Sequence, residues 1–229
     1  EYIVKTIVTT ETSKTIAERN GVEMYDVYTG FKWIANVMRE NEGKKNYIGG
    51  GEESYGFLCE DFVRDKDAVS ACVILAEIAA WAKDQGLSLY QLLQKIYVEY
   101  GFSKEKGISV VKKGKSGAEE IEAMMKKFRE NPLTEIAGSK VTYFYDYSTL
   151  KGKDYAENET VTLDMPTTSN VLQYFTEDNT KVSIRPSGTE PKTKFYCEVH
   201  SKVKSIDELP EAEKAAEEKI NQIKASLGI

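Results

Sequence analysis

Three short segments carry side chains whose types and spacing could do chemistry. Arg185-Pro186-Ser187-Gly188-Thr189-Glu190-Pro191-Lys192 gathers a guanidinium, two hydroxyls, an ammonium and a glycine amide into one turn. Arginine offers planar bidentate hydrogen bonds to phosphate oxygens, Ser187 and Thr189 can donate through hydroxyls, and Gly188 admits close backbone approach, so this is a candidate anion cradle. The same Pro, Ser, Gly and Thr would also make an ordinary hairpin loop. Glu52 and Glu53 follow Gly49-Gly50-Gly51. Carboxylates only accept hydrogen bonds, which suits a pair of neighbouring sugar hydroxyls, and the alternative is an exposed acidic turn. Ser54 follows, but Gly51-Glu52-Glu53-Ser54-Tyr55-Gly56 has one residue too many for a hydrolase nucleophile elbow, and His200 is the sole histidine. Lys32, in Thr29-Gly30-Phe31-Lys32-Trp33, falls at a predicted helix start, where amides and a cation together would attract a phosphate or assist proton transfer; a solvated surface lysine is the alternative. Asp65-Lys66-Asp67 precedes an apolar run and reads as a helix cap, not a metal loop.

The elements that must position these groups follow from periodicity. Tyr2 to Thr9 and Val22 to Tyr28 are β-rich, Thr12 to Asn20 closes at Gly21, and Phe31, Ile34, Val37 and Met38 recur at helical spacing before Gly43. With a third strand at Asn46 to Ile48 the order is βαβαβ, which predicts a parallel sheet with helices on its faces. In open α/β sheets ligands bind beyond the carboxyl ends of the strands, so the Tyr28–Lys32 and Gly49–Ser54 loops should share one edge. Val69 to Trp81 predicts a buried core helix, and Ser88 with Gln91 a capping box for the next. Ser103 to Gly117 is rich in lysine, glycine and serine, which places a domain boundary near Lys106, giving domains 1–106 and 107–229. Beyond it come a helix capped by Ser116 and Glu119 and ended by Asn131-Pro132, then strands at Val141–Tyr147, Val171–Phe175, Lys181–Ile184 and Thr193–Val199, then a helix from Asp207 to Leu227. The expectation is an α/β chain: a parallel-sheet βαβ domain followed by a smaller α+β domain with a mainly antiparallel sheet and helices packed on it.

Composition narrows the function classes. A net charge of −6 argues against a nucleic-acid surface. The apolar run Val69–Trp81 is broken by Glu77 and is too short for a membrane helix, and the first residues lack the pattern of a signal peptide. Three widely spaced cysteines favour a reducing, cytoplasmic setting, and one histidine makes His-rich metal sites hard to build. An opening in mid-strand without methionine suggests a piece of something longer.

Taken together, the Gly51–Gly56, Thr29–Ile34 and Arg185–Lys192 segments, in this order and spacing, resemble the α-D-phosphohexomutase family of phosphoglucomutases and phosphomannomutases. The resemblance covers essentially the whole chain and corresponds to domains 3 and 4 of a four-domain enzyme, with the opening segment of domain 3 absent. It implies that Glu52 and Ser54 hold sugar hydroxyls, and that Arg185, Ser187, Gly188 and Thr189, joined by Lys192, bind the non-reacting phosphate. Lys32 matches a lysine near the reacting end, although some bacterial relatives place a histidine one position earlier, where Phe31 stands here. The family interconverts hexose 1-phosphates and hexose 6-phosphates through a hexose 1,6-bisphosphate that turns around in the cleft, using a phosphoserine and Mg²⁺. The phosphoserine segment and the aspartate-rich metal loop are absent from this sequence, so no metal ligand is expected within it. The implied partners are the N-terminal domains of the same protein and a hexose phosphate, and these residues alone are expected to be inactive. A phosphopentomutase and a non-catalytic phosphosugar-binding module are the alternatives.

Overall fold

The computed structural model describes every residue except Lys113 and Thr189, and of Lys115 the backbone alone. The chain divides into two units, Glu1–Gly101 with Lys202–Ile206, and Phe102–Ser201 with Asp207–Ile229.

In the first unit Tyr2–Thr6 (β1) is aromatic and β-branched and almost continuously buried, the pattern of a strand covered on both faces. It is central. Glu23–Val27 (β2) and Tyr47–Gly51 (β3) pair with it in parallel on its two sides, and Phe57–Cys59 (β4) adds an antiparallel edge beside β3. Thr12–Arg19 (α1) links β1 to β2, and Phe31–Asn41 (α2) links β2 to β3. Because β2 and β3 flank β1 on opposite sides, right-handed crossovers place α1 and α2 on opposite faces of the sheet. The core of this unit is Tyr2, Val4, Val27, Phe31, Ile34, Met38, Tyr47 and Leu58. The carboxyl ends of β1, β2 and β3 open on one edge, with Lys5 in register with both Asp26 and Gly51.

Two further helices follow. The Asp67 carboxylate caps Ala68–Asp84 (α3) by accepting the amides of Val69 and Ser70, and the Ser88–Gln91 capping box opens Leu89–Tyr100 (α4), both as the sequence predicts. The burial of α3 does not follow the expectation. Only Ala82 is buried, while Val69, Val73, Leu75, Ile78 and Trp81 are exposed. Composition reports how much apolar surface a helix must hide, not whether neighbouring residues supply the cover; α3 packs on β4 and α4, and most of its side chains stay exposed.

The second unit is built on an eight-stranded antiparallel sheet. Its strands are Phe102–Val111 (β5), Glu135–Ile136 (β6), Ser139–Asp146 (β7), Lys151–Asp154 (β8), Glu159–Thr162 (β9), Leu172–Thr176 (β10), Lys181–Pro186 (β11) and Lys192–Ser201 (β12). They run in the order β5-β12-β11-β10-β7-β8-β9, with β6 paired to β7. Gly114–Glu130 (α5) and Leu209–Leu227 (α6) bring Met125, Ile220 and Ile223 into a core with Leu172, Tyr174, Ile184 and Phe195. The two-domain α/β then α+β architecture is present, with two differences. The second unit is the larger, since Phe102–Ser201 with Asp207–Ile229 outnumbers Glu1–Gly101 with Lys202–Ile206, and β5, β8 and β9 extend its sheet beyond the expected strands. And Lys106 is no boundary: it sits in the middle of β5, paired with Cys197, and the chain passes from one unit to the other at Gly101 and Phe102. α5 also begins at Gly114, two residues before the expected Ser116 cap. No helix among the described residues is long and apolar enough to cross a membrane.

Candidate functional site

The carboxylate loop is assembled by glycines where backbones crowd. A Cβ on Gly50 would lie 2.3 Å from the Val4 carbonyl oxygen, so β3 can approach β1 this closely only without a side chain. The chain then turns through Glu52–Gly56, closed by the Glu52 N–H donating to the Gly56 carbonyl at 2.7 Å. Glu52 Oε1 accepts a 2.7 Å hydrogen bond from the backbone N–H of Gly30, which stands at the head of α2 with φ +118°. A carboxylate there is favoured by the unpaired amides and positive end of the helix. The second oxygen, Oε2, has no hydrogen-bond partner among the described residues. Glu53 turns the other way and accepts from the buried Thr6 hydroxyl at 3.2 Å, while Thr6 also hydrogen-bonds Thr9 at 2.9 Å. Ser54 is exposed at the outer turn of this loop.

Lys32 lies in the first turn of α2, exposed, with its ammonium 5.0 Å from the Trp33 ring centroid. Trp33 in turn meets Tyr28 edge-on; burial pushes the Tyr28 phenol up to about 12. The structure therefore brings Lys32, Glu52 and Ser54 to one sheet edge, as the strand order predicts.

Sequence reading missed Lys5 and Thr6 at this edge. Lys5 is buried, yet pairs with Asp26 at 2.6 Å and Glu11 at 3.0 Å. Burial penalises its charge, but the two carboxylates outweigh that and hold its pKa above the ordinary lysine range. The signal was topological: the strand order reverses at β1, so its last residues abut the switch point where α/β sheets bind ligands.

The anion loop belongs to the second unit, where it joins β11 to β12. The Ser187 N–H donates to the Lys192 carbonyl at 2.8 Å, and the Lys192 N–H to the Glu190 carbonyl at 2.7 Å. Ser187 Oγ accepts from the Glu190 N–H at 3.3 Å. Lys192 pairs with Glu190, and that hydrogen-bonded ammonium holds the Glu190 carboxyl below its usual range. Arg185 is half-buried at the end of β11, and its guanidinium has no hydrogen-bond or ion-pair partner among the described residues. Gly188 is exposed, with open space where a side chain would go. Thr189 lies outside the described residues. An open cavity of about 700 Å³ adjoins the loop within this unit, with Ile121, Met125, Asn170, Ser187 and Glu190 among its lining. Arg129, also in that lining, is already paired with Asp146 at 3.2 Å, whereas Arg185, at the end of β11, has no such partner among the described residues. Among the described residues no group of three or more His, Cys, Asp or Glu side chains could hold a metal ion.

Comparison with known proteins gives these loops a context. Residues 1–100 match the family model described as "Phosphoglucomutase/phosphomannomutase, alpha/beta/alpha domain III", and residues 109–216 match the C-terminal domain of the same family. A phosphoglucomutase of Staphylococcus haemolyticus is 36% identical over 86% of this chain and 36% of its own length. A Staphylococcus aureus phosphoglucomutase is 39% identical over 85% of this chain and 35% of its own. The chain thus spans about a third of the length of these relatives. Among solved structures, the parafusin phosphoglucomutase of Paramecium superposes with a TM-score of 0.59 at 18% identity, covering 89% of this chain and 33% of its own. A phosphoglucomutase/phosphomannomutase family protein of Burkholderia thailandensis gives 0.56 at 16%, covering 99% and 38%, and both likenesses speak for the fold. With both of its units matched in order by that family's third and fourth domains, the chain belongs to the phosphoglucomutase/phosphomannomutase family.

Proposed function

We propose that these residues are the substrate-binding, C-terminal part of a phosphohexomutase that interconverts hexose 1-phosphate and hexose 6-phosphate, of glucose or mannose, through a hexose 1,6-bisphosphate. The observation that carries this reading is the half-buried Arg185 guanidinium, unpartnered among the described residues and set beside Ser187 and Lys192 in one turn. Charge held partly out of water without a counter-ion is costly, and a phosphate of the ligand would supply one. Lys192 would then exchange Glu190 for the same phosphate. In the first unit Glu52, steadied through one oxygen by Gly30, offers the other to a sugar hydroxyl, with Ser54 beside it. Lys32 is placed to meet the reacting phosphate or to move a proton there. These groups bind and orient; they form no covalent intermediate, and the phosphoserine belongs to the rest of the protein. Magnesium, implied by the family for the whole enzyme, finds no donor set among the described residues; we assign its ligands to the remaining domains and route no step through it. The free thiols Cys59, Cys72 and Cys197 accord with a cytoplasmic setting.

The test is turnover. The purified chain should give none, whereas the longer gene product should convert glucose 1-phosphate, and Glu52→Gln should lower its kcat/KM by about tenfold or more through a weakened hydroxyl contact. Turnover by the chain alone would overturn the division of labour proposed here. Preference for pentose phosphates would establish the phosphopentomutase, and a longer product inactive on every sugar phosphate would establish a binding module.

A further inference from the structure

The apolar surface of α3 is not absorbed by any of the roles assigned above. Val69, Cys72, Val73, Ala76 and Ala80 recur at i, i+3, i+4, i+7 and i+11, and every one of them is exposed. That spacing is the stripe by which a helix packs against another helix, and an apolar stripe of this kind normally faces a core. The bare surface is continuous in kind with its neighbours. Leu89 and Leu93 of α4 are exposed one turn apart, and Phe57 of β4, which alternates with the buried Leu58, is 41% exposed on the sheet face opposite the α2 core. A patch of this extent marks an interaction surface.

We infer that this stripe is the docking face for an amphipathic helix supplied by the remainder of the same, longer protein. Two observations select that occupant. The matched relatives extend over almost three times the length spanned here, so chain is at hand to supply it. The model matched by residues 1–100 describes an α/β/α domain, and in this unit the α3 stripe is left exposed while α1 and α2 pack on the sheet. The occupant presents leucine-type side chains to Val69, Cys72, Val73, Ala76 and Ala80, which offer no polar partner, while Glu77 and Lys83 border the stripe. The inference rests on the reading that these residues are part of a larger mutase, but it fails separately from it.

Cys72 reports on the contact without any mutation. A thiol reagent should modify Cys72 rapidly in the 229-residue chain and at least about tenfold more slowly in the longer gene product, where modification requires local opening. Val73→Glu should leave the thermal midpoint of the 229-residue chain in place and lower that of the longer product. Equal Cys72 rates in the two proteins would overturn the inference, as would protection that grows with the concentration of the 229-residue chain alone, which would make a second copy the occupant. A longer product that is active with Cys72 still reactive removes the docking face and keeps the mutase; protection in an inactive product does the reverse.

Discussion

The two candidate loops are organised on opposite plans. The carboxylate loop of the first unit is tied to its surroundings before any ligand arrives: Glu52 by the Gly30 amide at the head of α2, Glu53 by Thr6 at the end of β1, and the backbone by a Gly50 so close to Val4 that no side chain fits. The anion loop of the second unit is tied mainly to itself, through Ser187, Glu190 and Lys192, while Arg185 points charge at no protein group among the described residues. The first spends its hydrogen bonds on position; the second holds charge ready for a ligand. A sugar hydroxyl has little charge to attract a loop into place, so its acceptor benefits from being fixed beforehand. A phosphate carries enough charge to displace an internal ion pair such as Glu190–Lys192.

This contrast can be broken by substitution, beginning with the largest effect. Gly50→Ala forces a methyl against the Val4 backbone and should destabilise the first unit by about 3 kcal/mol, read in chemical denaturation. A smaller effect is expected from Thr6→Val, which removes the Glu53 tether and should cost about 1 kcal/mol; a denaturation curve unmoved by it would make the loop less fixed than claimed. Gly188→Ala should change stability by under about 0.5 kcal/mol, since its side chain would enter open space. A large loss there would remove the asymmetry between the two loops.

The edge that carries Lys32, Glu52 and Ser54 was legible in the sequence because glycine-flanked loops alternated with β-rich and helical runs, and that order fixes which strand ends lie together. The tethers were not, since Gly30 to Glu52 and Thr6 to Glu53 join residues 22 and 47 positions apart. β5 was hidden by its lysines. Lys104 and Lys106 alternate with more exposed residues along the strand and reach Glu213 and Glu217 on α6, so a basic run that looks like a solvated linker is a strand whose long side chains bridge to a helix. β8 was hidden by Gly152, whose missing side chain leaves room for the Tyr145 ring on β7. For α3 the apolar run fixed the helix but could not name its cover.

Calorimetric titration of the chain with glucose 1-phosphate, beside ribose 1-phosphate and inorganic phosphate and repeated with Arg185→Ala, tests the central claim most directly. The account predicts that the hexose phosphate binds most tightly of the three and that Arg185→Ala weakens it by about 1.5–3 kcal/mol, tenfold or more. Equal, weak binding of all three ligands, or a titration unchanged by Arg185→Ala, would contradict it.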